Sequence, residues 1–123
     1  MKFASKVIHG RKHGRAIGYP TANLQINDVV RKVLNKEGVY AVKVTTKVGD
    51  CVGALFYGKR SLFKDEKPVC EILLLNFIGD LYGQEISIEI IKYLRPVEAV
   101  KDETELKRLI EKDIERTNQL FNQ

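Results

Sequence analysis

Three groups of residues in this chain have types and spacings that could do chemistry. The first is the run from Gly10 to Gly18, where Gly10, Gly14 and Gly18 are interleaved with Arg11, Lys12 and Arg15 and no acid intervenes. Backbone N–H groups in such a run can form concavities that bind phosphate oxygens, and Arg15 adds charge. The second is Thr21 and Asn23, two residues apart. On extended backbone both side chains point to one face, and neutral oxygen donors of this kind suit a hard cation such as Mg²⁺ that stays bound to phosphates and water. A surface turn with a polar tail fits the same residues. The third is Glu71, a lone carboxylate within the apolar run Val69–Leu75. It lies either on a solvated strand face or at a pocket mouth, held there for use.

Other apparent motifs fail on physical grounds. Gly53 to Lys59 matches the glycine and lysine spacing of a Walker A loop, but Arg60 follows where magnesium coordination needs Ser or Thr. Ala54–Tyr57 between the glycines is apolar and aromatic, so a strand is expected there instead of a phosphate cradle. His9 and His13 stand four apart with Gly10 and Gly14 among their neighbours, which disfavours a shared helical face and a convergent metal site. Cys51 and Cys70 fall in apolar runs, where free cysteine behaves as a small hydrophobe.

The elements that must position these groups follow from length and periodicity. At 123 residues, with 44% hydrophobic side chains, a single domain spanning 1–123 is expected, large enough for one core. That apolar fraction excludes wholesale disorder. No stretch approaches about 18 consecutive uncharged apolar residues, so no membrane-spanning helix is expected. The first residues lack a long apolar core and read as no secretory signal. Two cysteines make neither a disulfide framework nor a four-ligand zinc site, and a cytoplasmic location is expected. The net charge of +5 suits an anionic ligand, a nucleotide or a nucleic acid, and equally fits ordinary surface charge.

Phe3–His9 reads as a first strand, Gly10–Tyr19 as irregular, and Asn23–Glu37 as a polar connection with a helical turn near Val29–Leu34. From Gly38 the period becomes two: Tyr40, Val42 and Val44 alternate with Ala41, Lys43 and Thr45. Cys51–Tyr57 returns as a strand after a turn at Val48–Asp50. Val69–Phe77 fits a strand covered on both sides, and Glu85–Leu94 alternates Ile86, Ile88 and Ile90 with polar residues. The final segment has helical spacing in Leu106, Leu109, Ile110 and Ile114, and Asp102 with Glu105 forms a capping-box start. Antiparallel strands joined by glycine turns, then one helix, predict a mainly β, closed or nearly closed barrel.

Gly14 to Asn23, with Pro20-Thr21-Ala22-Asn23 at its end, resembles the G-R-x-L-G-F-P-T-A-N signature of riboflavin kinases. Three further stretches fall in that family's order: Gly38-Val39-Tyr40-Ala41-Val42; Glu71 leading to Gly79-Asp80-Leu81-Tyr82-Gly83; and Tyr93-Leu94-Arg95-Pro96 before a terminal helix. The resemblance implies a six-stranded antiparallel Greek-key β-barrel with a C-terminal α-helix. It implies transfer of the γ-phosphoryl of ATP to the riboflavin ribityl 5′-hydroxyl, giving FMN and ADP, with Mg²⁺ as cofactor. By that resemblance Thr21 and Asn23 hold the metal, and Gly10, Gly14, Arg15, Gly18 and Thr21 surround the nucleotide phosphates. Glu71 is the catalytic base, Leu74, Asn76 and Tyr82 contact the nucleotide, and Arg95 contacts the flavin.

The chain departs from the family pattern at Tyr57–Leu62, where Ile-Gly-x-x-Pro-Thr is usual, at Leu73, where His is frequent, and at Ala99–Val100, where an aromatic is common. Those changes touch the flavin side, and a non-catalytic flavin-binding module is the alternative they motivate. A basic barrel binding RNA is a second rival carried by charge alone, and few exposed aromatics argue against it. The expected partners are riboflavin, FMN, ATP and ADP, with neither membrane nor nucleic acid, and a monomer is expected. Many bacterial relatives place this module behind an FMN adenylyltransferase domain; FAD synthesis is not expected from these residues.

Overall fold

The computed structural model describes residues 1–9 and 18–122. Among these residues six strands and two helices follow in the order β1 (Lys2–Ile8), β2 (Thr21–Leu24), α1 (Asp28–Val33), β3 (Gly38–Thr46), β4 (Gly49–Gly58), β5 (Val69–Leu74), β6 (Glu85–Arg95) and α2 (Glu103–Phe121). The strands close into a barrel with spatial order β1-β2-β5-β4-β3-β6, and each neighbouring pair is antiparallel. Closure removes free sheet edges. The expected mainly β barrel with a C-terminal helix is what forms.

Alternation sets the inside. Val42, Val44, Leu55, Ile72, Leu74, Ile86 and Ile88 are fully or nearly fully buried in one cluster. Each such side chain contributes about 1.5–3 kcal/mol by leaving water. Helix α1 adds Val30 and Leu34 to the same cluster, and the Asn27 side chain caps it by accepting from the Val30 N–H at 2.9 Å. The expected helical turn near Val29–Leu34 is thus a short capped helix.

One segment differs from the sequence reading. Asn23 and Leu24 finish a strand instead of opening a polar connection. Ala22 and Leu24 point into the core, while Thr21 and Asn23 face outward. Four residues carry too little period for such a strand to stand out in a sequence, and its identity comes from pairing with β1 and β5.

The second layer lies outside the barrel. Val39, Ala54 and Leu73 form a cluster with Ile114 of α2, with Ile110, Phe56 and Leu94 packed at its edges. Helix α2 starts where expected, the Asp102 carboxylate accepting from the Glu105 N–H at 2.9 Å. Glu105 reaches back to the Lys101 N–H. Strand β5 is therefore covered on both faces: Cys70, Ile72 and Leu74 inside, Leu73 outside under the helix.

Candidate active site

The outward face of β5 carries the site. Glu71 has Asn23 of β2 opposite it on one side and Phe56 of β4 on the other, and Thr21 pairs with Leu73 one step along. Thr21, Asn23 and Glu71 thus share one patch of barrel wall. The Glu71 side chain is only 12% exposed, so it is not a solvated strand residue.

The turn after β4 folds over this acid. Arg60 Nη1 lies 3.5 Å from Glu71 Oε1. Its Nε donates to Asp65 Oδ2 at 2.8 Å and its backbone N–H to the same oxygen at 3.0 Å. Glu71 Oε2 is buried and has no hydrogen-bond partner among the described residues. Burial pushes the Glu71 carboxyl above the usual carboxylate range; Arg60 and then the Thr21 hydroxyl pull it back, and Asp65 adds to the rise. The Thr21 hydroxyl is near enough to favour the ionised form without completing a bond to Oε2.

A narrow, largely apolar cavity of about 80 Å³ runs from Glu71 along the barrel wall beneath α2. Phe56, Leu73, Phe63, Val97 and Ile110 line it, and Arg60, Arg95 and Asp113 supply polar ends. Arg95 donates to Asp113 through Nε and Nη2, both at 2.8 Å, and through Nη1 to the Pro96 carbonyl at 3.1 Å. This two-point pair ties β6 to α2. Burial raises the Asp113 carboxyl, and the hydrogen bonds and charge of Arg95 oppose the rise.

The remaining candidates are dispersed. Gly10, Gly14, Arg15 and His13 lie outside the described residues. Gly18 adopts φ +83°, a left-handed conformation that favours glycine. Leu74 is 2% exposed with its side chain in the barrel core, so only its backbone can reach a ligand, and its N–H already donates to the Pro20 carbonyl. Asn76 Oδ1 accepts from the Val52 N–H at 2.8 Å. Tyr82 is half exposed and stacks on His9 with ring centroids 3.7 Å apart.

The Walker-like glycines are strand residues, as their apolar spacer predicts. A Cβ at Gly53 would sit 2.5 Å from the Leu73 carbonyl oxygen, so that glycine serves close strand packing. Arg60, Asp65 and Asp113 are the site residues that sequence reasoning missed. A buried Glu71 demands a nearby cation, and that demand was the available signal.

The donor set fits a magnesium–phosphate ligand. Thr21 and Asn23 offer two neutral oxygens beside a buried carboxylate, leaving the rest of the roughly six positions around Mg²⁺ to phosphate and water. Glu71 Oε2, without a partner among the described residues, is an acceptor that a ligand hydroxyl would satisfy.

A closed barrel with a ligand slot between its wall and a terminal helix is the class that this geometry defines. The family model described as Flavokinase: Riboflavin kinase matches residues 1–121, and the chain belongs to the riboflavin kinase family. It is 37% identical over 118 residues to the bifunctional riboflavin kinase/FMN adenylyltransferase of Haemophilus influenzae, covering 95% of this chain and 37% of that protein. The protein of the same description from Listeria monocytogenes is 35% identical over 116 residues, covering 94% and 36%. The chain thus spans little more than a third of the length of these curated relatives. The solved riboflavin kinase from Trypanosoma brucei shares the fold, with a TM-score of 0.66 at 20% identity over 99% of this chain and 80% of that one. A structure described as a macrolide-efflux protein from Streptococcus pneumoniae gives a TM-score of 0.76 at 27% identity, covering 95% and 38%.

Proposed function

We propose that this domain phosphorylates riboflavin at its ribityl 5′-hydroxyl, using ATP with Mg²⁺ and giving FMN and ADP. The observation that carries this reading is the buried Oε2 of Glu71, which has no hydrogen-bond partner among the described residues, set between the Thr21–Asn23 patch and the slot beneath α2. Family membership supports the same reaction.

Each residue then has a task. Glu71 accepts the proton of the ribityl hydroxyl, and its burial makes it a stronger base than a solvated carboxylate. As the hydroxyl oxygen bonds to the γ-phosphorus, the bond from that phosphorus to the β–γ bridging oxygen breaks. The electron pair leaves on ADP. Thr21 and Asn23 would hold Mg²⁺, which would neutralise phosphate charge when bound. By the family resemblance Gly10, Gly14, Arg15 and Gly18 would bind the phosphates, and Asn76, Tyr82 and the backbone of Leu74 would contact the nucleoside. The slot, with Arg95 in its lining, takes the flavin ring. At about 80 Å³ it is tighter than the roughly 300–1,000 Å³ usual for ligand sites, so α2 moves aside on binding.

The test is an incubation of the chain with riboflavin, ATP and Mg²⁺, resolved by chromatography. FMN and ADP should form in equal amounts, and neither should form without the metal. Flavin binding with no FMN would replace the enzyme with a non-catalytic flavin-binding domain.

A further inference from the structure

Arg60 belongs to a stretch where the chain departs from its family pattern, and the charge it brings is directed at Glu71. Its guanidinium is anchored before it reaches that acid. Nε is 2.8 Å from Asp65 Oδ2, and Nη2 is 3.4 Å from Oδ1. The Arg60 backbone N–H also donates to Asp65, and the Asp65 N–H donates back to the Arg60 carbonyl. The guanidinium lies over the Phe63 ring, 5.1 Å from its centroid. Both side chains of the pair are nearly buried, at 10% and 4% exposure. A planar fork held this way loses little further entropy when it meets a second carboxylate.

Its closest approach to Glu71 is to one oxygen. Nη1 is 3.5 Å from Glu71 Oε1, an ion pair longer than a hydrogen bond, while Oε2 has no partner among the described residues. The terminal torsion of a glutamate is broad and roughly two-fold, so an unrestrained carboxylate would present either oxygen in a range of orientations. A fixed cation at one side removes that equivalence.

We infer that Arg60, clasped by Asp65, is a positioning residue that holds Glu71 Oε1 and leaves Oε2 aimed at the substrate hydroxyl. The inference rests on the phosphotransferase reading above and adds to it the device that orients the base. Arg60 acts through Glu71 and touches no reacting atom.

A double-mutant cycle tests it, using the full chain with Arg60→Ala, Glu71→Gln and both together. Arg60→Ala should lower kcat about 10- to 100-fold, the cost of a base misplaced by about 1 Å. KM for riboflavin and for Mg·ATP should stay within about threefold. In the Glu71→Gln background the same change should cost less than about twofold. Guanidinium ion, but not an equal concentration of tetramethylammonium, should restore part of the lost kcat. Urea unfolding gives a readout free of activity: Arg60→Ala should destabilise the chain more when Glu71 is intact than in the Glu71→Gln background. If Arg60→Ala does not fold, Asp65→Asn keeps the cation but loosens it, and should lower kcat in the same Glu71-dependent way.

An unchanged kcat would overturn the inference, as would a rise in KM alone or an equal loss in both backgrounds. Wild-type chain that makes no FMN would instead remove the phosphotransferase reading, and this inference with it. Active wild type, crippled Glu71→Gln and a fully active Arg60→Ala would remove the positioning role alone.

Discussion

Asn23 and Glu71 stand directly opposite one another across the β2–β5 pair. The shortest strand of the barrel, four residues long, thereby brings a hydroxyl and an amide to the buried acid of the outer wall. Thr21 and Asn23 should share a metal-supporting role that neither could fill alone. Thr21→Ala and Asn23→Ala should each raise the apparent KM for Mg·ATP about 10- to 100-fold, the range for loss of a metal-supporting contact. Titration of rate against Mg²⁺ at fixed ATP measures this. Metal dependence equal to wild type in both variants would remove them from the metal site.

Glu71 also sets a pH dependence of stability. Its carboxyl is raised in the folded state, mainly by burial, so the folded chain binds its proton more tightly than the unfolded chain does. Its contribution is greatest below the unfolded carboxylate range and is lost as pH rises through the folded value. Glu71→Gln removes that loss. The variant should be more stable than wild type at pH 7, with the difference shrinking toward pH 4. Urea unfolding across that range checks the sign, and a variant less stable at pH 7 than at pH 4 relative to wild type would contradict it.

The Arg95–Asp113 pair is a two-point polar tie between barrel and helix, and it borders the same slot as Glu71. Asp113→Asn leaves the guanidinium without its charge partner. The expected cost is about 2–3 kcal/mol, below the roughly 3–5 of a fully buried pair because Arg95 keeps the Pro96 carbonyl and Glu98. Chemical denaturation measures it, and KM for riboflavin should rise as α2 loosens. No loss of stability would mean that the apolar contacts of Ile110 and Ile114 hold the helix unaided.

Both cysteines are buried and free. Burial lifts the Cys51 thiol to about 11 and the Cys70 thiol still further, with Asp50 and Glu71 adding to the respective shifts. Neither should react with a disulfide reagent at pH 8 in the folded chain, and both should react after denaturation. Rapid labelling of the native protein would contradict their placement.

The sequence and the structure agree where a signal is local. Tyr40, Val42 and Val44 have strand period and lie buried in β3. Asp102 and Glu105 form the predicted cap, and the stripe through Ile110 and Ile114 faces the barrel. Glu71 stood out as a lone carboxylate within an apolar run, but the run left a solvated strand face open, and the resemblance to riboflavin kinases was what made it the base. What surrounds it was not legible. Arg60 and Asp65 meet through a turn with no repeating pattern, and Arg95 reaches Asp113 from a different element. Such pairs are set by tertiary geometry, which leaves no period in the chain. The outward direction of Thr21 and Asn23 likewise depends on pairing with β5.

The most direct measurement is single-turnover FMN formation by wild type and Glu71→Gln, with riboflavin binding followed in parallel by fluorescence. The Glu71→Gln rate should be lower by about 10²–10⁴, the usual contribution of a general base, with flavin affinity preserved. A Glu71→Gln variant that forms FMN at the wild-type rate would show that the buried carboxylate takes no proton.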